Sequence, residues 1–141
     1  MKTQEYIDQL VDKTIEKALD KAIVELSKST ELETFAMLIQ DTHCVSEVLP
    51  SSRDYYFDNS VLMDSLKEFG NEQIESEKAE GFCIVFQTEV PLHGKNQQAI
   101  GLFFKMKNDY LALKSRVYYF PFNRLGNIPQ IDFESAFASE A

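Results

Sequence analysis

The fold is decided by residues 82–119, FCIVFQTEVPLHGKNQQAIGLFFKMKNDYLALKSRVYY. Apolar side chains alternate with polar ones along three segments of this stretch, as they do in half-buried β-strands. The first two segments are separated by a turn over residues 91–96, and the last two by Asn108-Asp109, which reads as a two-residue hairpin loop. The stretch therefore predicts a three-strand antiparallel meander.

The alternation also predicts a register for these strands. The predicted pairs are Phe104–Leu113, Leu102–Ser115, Ile100–Val117, Phe86–Leu102 and Ile84–Phe104. In this register all three strands share one apolar face, whereas a slip of one residue would bring Lys105 and Lys107 into the core. The opposite face is then basic and aromatic.

Residues 3–28 predict a long amphipathic helix. From Ile7 to Leu26, apolar residues recur every three or four positions. The apolar stripe is wider than two positions per heptad, which disfavours a strict coiled coil. It is typical of a helix lying on a sheet, and a dimer interface is the alternative interpretation.

The middle of the chain predicts a buried strand and a second helix. Residues 35–39, FAMLI, are apolar on both faces and indicate the strand. Asp58 and Asn59 are suitable caps for a helix that runs through Phe69, with Gly70-Asn71 as its stop. Residues 72–80 either extend this helix or form an exposed connector.

The C-terminal residues predict less regular structure. Pro121, Asn123 and Pro129 are expected to end the strands, and Phe133 and Phe137 to mark a short docking helix. Together the elements predict one α+β domain over residues 1–141, with residues 138–141 as a candidate disordered tail. The long N-terminal helix and the second helix are expected to pack on one face of an antiparallel sheet that ends in the meander.

Composition narrows the classes of function. The chain has 23 acidic residues and 14 Lys and Arg, a net charge of −9, which disfavours nucleic acid as the main partner. No apolar run approaches the about 20 residues that cross a bilayer. The polar start of the chain lacks the apolar segment of a secretory signal, and its only cysteines are Cys44 and Cys83. We therefore expect a cytoplasmic protein with reduced thiols.

Residues suited to catalysis or ligand chemistry are scarce. Two histidines and two cysteines, without Cys-x-x-Cys spacing, predict no metal site. No two of the five glycines lie close enough to cradle a phosphate, so no cofactor is predicted. Enzymatic activity is disfavoured on this basis.

The basic and aromatic face of the meander is the main candidate for a binding surface. Its residues are Phe103, Lys105, Lys107, Tyr110, Lys114, Arg116 and Tyr118. Three interpretations stay open: a solvated sheet face, a docking patch for a protein, and a platform for single-stranded nucleic acid. The acidic residues 68–80 form a second candidate surface for a partner.

The leading hypothesis is a small acidic interaction domain without catalytic activity, such as an inhibitor or accessory protein, with an unknown protein partner and a capacity for homo-oligomers. The first alternative is a small-molecule-binding or hydrolytic domain with a pocket between helices and sheet. Its candidate polar and aromatic residues are Asp41, His43, Tyr55 and Tyr56, beside Phe82, Phe86, Phe104 and Tyr119. The second alternative is single-stranded nucleic-acid binding by the basic and aromatic face.

Overall fold

A computed structural model describes residues 4–41, 44–48, 59–107 and 115–140. They form two helices and one antiparallel seven-stranded sheet. The elements are α1 (Gln4–Lys28), β1 (Phe35–Asp41), β2 (Cys44–Val48), α2 (Asn59–Glu75), β3 (Gly81–Leu92), β4 (Lys95–Met106), β5 (Ser115–Leu125), β6 (Ile128–Ile131) and β7 (Phe137–Glu140). The strand order is β2-β1-β3-β4-β5-β6, and β7 pairs with a different part of β5. The predicted α+β class, with helices packed on an antiparallel sheet, is confirmed.

The two helices cover opposite faces of the sheet, which corrects the prediction that they share one face. The α1 side of the core includes Met37, Cys83, Val85, Leu102 and Phe104, and the α2 side includes Leu38, Phe82, Ile84, Phe103 and Val117. The centre of the sheet is apolar on both faces, and both must be kept from water. A one-sided sheet would leave the second set exposed.

The register between β3 and β4 differs by one residue from the predicted one. Val85, rather than Phe86, faces Leu102, and Phe86 faces Gly101. The cause is the turn, because its loop is the two residues His93-Gly94, with φ of 52° and 77°. Two consecutive positive φ values define a type I′ turn, which fixes the pairing of the strands that flank it. The slip exchanges the two faces of β3 relative to β4.

The register between β4 and β5 also differs from the prediction. Leu102 faces Tyr118 instead of Ser115, and Phe103, not Ile100, faces Val117. The displacement is three residues, an odd number, so the faces of β5 are exchanged as well. The predicted loop at Asn108-Asp109 lies outside the described residues.

Regular structure continues past the prolines that were expected to end it. Strand β5 runs through Pro121 and Asn123, and β6 contains Pro129. β6 is an outer strand, where a residue without an N–H group is tolerated. Phe133 begins a short 3-10 helix and Phe137 begins β7, so residues 138–140 are a paired strand rather than a tail.

Helix α2 continues past its predicted stop at Gly70-Asn71 and ends at Glu75. Gly70 is buried against Phe82, and a Cβ added at Gly70 would overlap the carbons of that ring. Gly70 therefore allows close contact between helix and sheet and does not end the helix. Of residues 72–80, the first four extend α2 and a turn follows, in which Lys78 N–H donates to the Gln73 carbonyl at 2.9 Å.

The C-terminal end of α1 is capped by a side chain from the far end of β5. The Arg124 guanidinium donates to the carbonyl oxygens of Leu26 at 2.7 Å, Ser29 at 3.3 Å and Thr30 at 3.2 Å. The last carbonyls of a helix have no partner within the helix, and a cation near them also interacts favourably with the helix dipole. Arg124 thus fixes the point where the chain leaves α1.

Replacing this cap is expected to destabilise the protein moderately. Arg124→Met keeps much of the aliphatic stem but removes the donors, and we expect a loss of about 1–2 kcal/mol in the free energy of unfolding, because the hydrogen bonds are partly solvated. Urea unfolding followed by circular dichroism measures it. Arg116→Met is the matched control, since Arg116 is an exposed arginine on the same strand. Equal effects of the two changes would contradict the capping role.

Candidate functional site

The residues of the predicted basic and aromatic face do not share a face. Phe103 is only 8% exposed and lies beneath α2, with Lys67 Nζ 4.6 Å from the centre of its ring. On the same side, Lys105 Nζ donates to Asn71 Oδ1 of α2 at 2.7 Å. Arg116 is paired with Phe104, which places it on the α1 side of the sheet. The prediction of one continuous docking face is therefore wrong.

The remaining members of that set do not restore the surface. Tyr118 belongs to the α1 side, where its ring meets Phe104 edge-on at 5.5 Å between centroids. Lys107 is half-buried at the end of β4, and Tyr110 and Lys114 lie outside the described residues. The same separation removes the shared surface on which nucleic-acid binding was predicted.

The predicted pocket between helices and sheet also loses its lining. Asp41 is exposed at the end of β1, and His43, Tyr55 and Tyr56 lie outside the described residues. Phe104 is on the α1 side, whereas its three expected partners, Phe82, Phe86 and Tyr119, are on the α2 side. These four rings therefore cannot line one pocket. In the described part of the chain, every buried side-chain nitrogen and oxygen has a hydrogen-bond partner.

Most acidic side chains of residues 68–80 are exposed to solvent. Glu68, Glu72, Glu75 and Glu77 are exposed along α2 and the turn that follows it. Glu77 adopts a positive φ of 62° in that turn. Binding of a partner by this segment stays a prediction.

A groove of about 680 Å³ lies where α1 passes into β1 and beside the free part of β3. One wall is the connecting segment, residues 29–33, and the other wall and floor come from β3 and β4. The lining residues are Ser29, Thr30, Glu31, Leu32, Glu33, Gln87, Thr88, Glu89 and Gln98. Sequence reasoning did not identify this site.

The groove exists because β1 is shorter than β3. β1 pairs with β3 only over residues 81–85 of the longer strand, which continues to Leu92. The connecting segment is held on the α1 side, where Leu32 N–H donates to Gln87 Oε1 at 2.7 Å. No backbone hydrogen bond joins residues 29–34 to β3, all of which are described. Among the strands that the structure describes, none lies beside the edge of β3 beyond Val85.

The backbone groups on that edge point away from β4. In a hairpin with a two-residue type I′ loop, the residues that flank the loop, Leu92 and Lys95, form a hydrogen-bonded pair. The even-numbered residues of β3 therefore form the backbone hydrogen bonds to β4. The hydrogen bond from Lys107 N–H to the Glu80 carbonyl, at 3.0 Å, agrees with this alternation. The odd-numbered Gln87, Glu89 and Pro91 direct their backbone outward. Pro91 has no N–H, so its outward position leaves no donor without a partner.

Polar and acidic side chains line the groove. Gln87 Nε2 donates to Gln98 Oε1 at 2.6 Å, so two paired amides form the floor. Glu31, Glu33 and Glu89 are exposed around it, and no Lys, Arg, His or Cys is among the lining residues. The arrangement can accept hydrogen bonds and positive charge, but it offers no general base or thiol nucleophile other than solvated carboxylates.

Cys83, the cysteine whose side chain the structure describes, is not suited to chemistry at the surface. Cys83 is fully buried between β3 and α1, and burial raises the pKa of its thiol well above the ordinary value. A neutral, inaccessible thiol is a poor nucleophile. Among the described residues, no group of three or more His, Cys, Asp and Glu side chains could hold a metal ion.

Comparison with known proteins gives no relative. No protein-family model matches the chain. No match was found among curated proteins or among solved structures. Neither described helix combines the length and the apolar character needed to cross a membrane.

Proposed function

We propose that this protein is a small, acidic, non-catalytic binding domain, which takes up an extended segment of another protein as an added strand along β3. The single observation that carries the proposal is the edge of β3 beyond Val85, which no described strand covers and where Gln87 and Glu89 direct their backbone N–H and C=O groups into an open groove. Unpaired strand edges are templates for pairing with another chain. The free thiol of Cys83 supports a cytoplasmic location for this activity.

The dimensions of the edge suit a short strand. Residues 87–91 span about 16 Å at the usual rise per residue. Over this length, backbone hydrogen bonds provide affinity and the alternating side chains provide specificity, as in other cases of strand addition. Pro91 ends the series of donors, which sets one limit of the bound segment.

The expected result is that bound peptides protect particular backbone amides from hydrogen exchange. Random seven-residue peptides displayed on phage are selected against the protein, and a recovered peptide is synthesised. In its presence, the amides of Gln87 and Glu89 should exchange more slowly, because they gain a partner. The amides of Thr88 and Val90 are the internal control, since they are already bonded to β4. Exchange measured residue by residue by NMR gives the answer.

A matched pair of variants separates the backbone from the side chain. Glu89→Pro removes one outward N–H and leaves β4 pairing intact, as Pro91 does two residues later, and it should weaken the peptide at least tenfold. Glu89→Gln keeps the N–H. Recovery of no peptide, or a peptide that leaves the Gln87 and Glu89 amides unprotected, would refute strand addition here. Thermal unfolding of each variant tests whether the fold is retained.

A further inference from the structure

We infer that the added strand is cationic, with Lys or Arg at alternate positions and β-branched or apolar residues between them. This inference rests on the proposed strand addition at β3, and it names the chemistry of the segment that binds there. It follows from the different character of the two sides of the free edge, since a strand paired with β3 would present alternate side chains to each side.

The α1 side of the free edge is acidic. Gln87 and Glu89 continue the row that begins with Cys83 and Val85, so their side chains are on the α1 side. Glu31 and Glu33 form the facing wall of the groove, and all three glutamates are exposed. A side chain placed opposite Gln87 or Glu89 would enter between these carboxylates. Opposite charges across neighbouring strands stabilise the pairing, whereas like charges destabilise it.

The α2 side of the same edge is less polar. Thr88 is half-buried and Val90 is 4% exposed, and both project from β3 on this side. Thr88 is paired with Ala99 and Val90 with Gln97, so β4 contributes no charge beside either residue. A side chain opposite Thr88 would therefore meet its methyl group, and one opposite Val90 would lie beside a buried apolar residue, which favours Val, Ile or Thr at those positions. The two sides together specify an alternating basic and β-branched sequence.

The charge of the whole chain favours the same class of partner. With 23 acidic residues against 14 Lys and Arg, the chain carries a net charge of −9. A field of this sign accelerates encounter with a basic segment and repels acidic ones, and its effect decreases as salt is added. A second copy of this acidic chain is electrostatically disfavoured as the occupant.

Three synthetic seven-residue peptides test the inference. They alternate Val with Lys, Gln or Glu, and their binding to the full chain is followed by fluorescence anisotropy at low and at physiological salt. We expect the Lys peptide to bind about tenfold more tightly than the Gln peptide, because two or three partly solvated ion pairs are gained. The Glu peptide should bind more weakly than either. A fourth peptide has the same composition as the Lys peptide, but its Lys residues form one block and its Val residues another. It should bind more weakly than the alternating Lys peptide, because it has the same charge without the alternation.

Charge-removing variants locate the effect in the groove. The double variant Glu31→Gln with Glu33→Gln should reduce the preference for Lys over Gln to about threefold or less, because two of the three carboxylates are lost. The double variant Glu5→Gln with Glu16→Gln, which removes two exposed charges on α1, is the matched control and should leave the preference unchanged. Equal loss in the control would overturn the inference, because the attraction would then be that of the whole surface.

The remaining outcomes separate this inference from the proposed function. Equal binding of the Lys and Gln peptides, with Gln87 and Glu89 amides protected by both, would overturn the cationic partner and leave strand addition intact. Equal binding of the alternating and block peptides would overturn the alternation. Protection of these amides that increases with protein concentration, without peptide, would identify a second copy as the occupant and overturn the inference. No binding by any selected or synthetic peptide overturns both.

Discussion

Phe103→Ala and Phe104→Ala are each expected to lower the free energy of unfolding by about 3–5 kcal/mol, the usual loss for a buried phenylalanine. The two residues are adjacent, and in a sheet with one buried face only one of them would matter. Here Phe104 is 0% exposed beneath α1 and Phe103 is 8% exposed beneath α2. Both substitutions therefore leave cavities, on opposite sides of β4.

Urea unfolding of the two variants measures these losses. Phe133→Ala is the matched control, because the ring of Phe133 is 64% exposed and the same substitution there should cost less than about 1 kcal/mol. A Phe103→Ala variant as stable as the control would contradict packing of α2 on β4. It would restore the one-sided sheet that the sequence predicts.

Gly70→Ala is expected to destabilise the protein by about 1–3 kcal/mol, although alanine is the better helix former by about 1 kcal/mol. The helix gains propensity, but the new methyl group overlaps the Phe82 ring, which is buried at 1% exposure and is held between α2 and the sheet. Either α2 moves away from β3 or the ring leaves its preferred position. Chemical denaturation measures whether the free energy of unfolding falls or rises.

A second substitution tests the cause of this loss. In a double-mutant cycle with Phe82→Leu, the cost of Gly70→Ala should fall by at least about 1 kcal/mol, because the smaller side chain leaves room for the methyl group. Ser65→Ala is the control for propensity alone, since Ser65 is exposed on α2, and it should be neutral or slightly stabilising. A stabilising Gly70→Ala would mean that helix and sheet are farther apart than the structure places them.

Local patterns were sufficient to predict the main elements. The helix predicted over residues 3–28 corresponds to α1, Gln4–Lys28, and the apolar run at residues 35–39 predicts β1. Such patterns involve residues that are close in the sequence, so the periodicity of a single segment is enough to identify a helix or a strand. The class of fold follows from the elements that they identify.

Which residues face each other was not predictable in the same way. The faces of β3 and β4 depend on a loop of two residues, His93-Gly94, rather than on the whole turn over residues 91–96. A run such as Leu102-Phe103-Phe104 is apolar at every position, so it gives no indication of which face is buried. Residue type alone predicts that Lys105 is solvated, yet its Nζ donates a hydrogen bond to Asn71 of α2.

The groove could not be predicted from any single segment, because it depends on the different lengths of two neighbouring strands. It arises because a strand of seven residues, β1, lies beside one of twelve, β3. One signal was available, since glutamates at positions 31, 33 and 89 adjoin the two strands that would pair. Each segment alone resembles an ordinary solvated turn or strand end, and only the strand order brings them together.

The contact between α1 and Arg124 also bears on how the nascent chain folds. Arg124 and its acceptor Leu26 are 98 residues apart, and the α1 side of the core includes Phe120 and Phe122 from the same late strand. At ordinary rates of translation, roughly 5–20 s pass between synthesis of the helix and of the residues that complete its burial. Throughout that interval the apolar face of α1 lacks its contacts with the late strand β5. This protein is thus expected to depend on chaperones during synthesis more than its small size suggests.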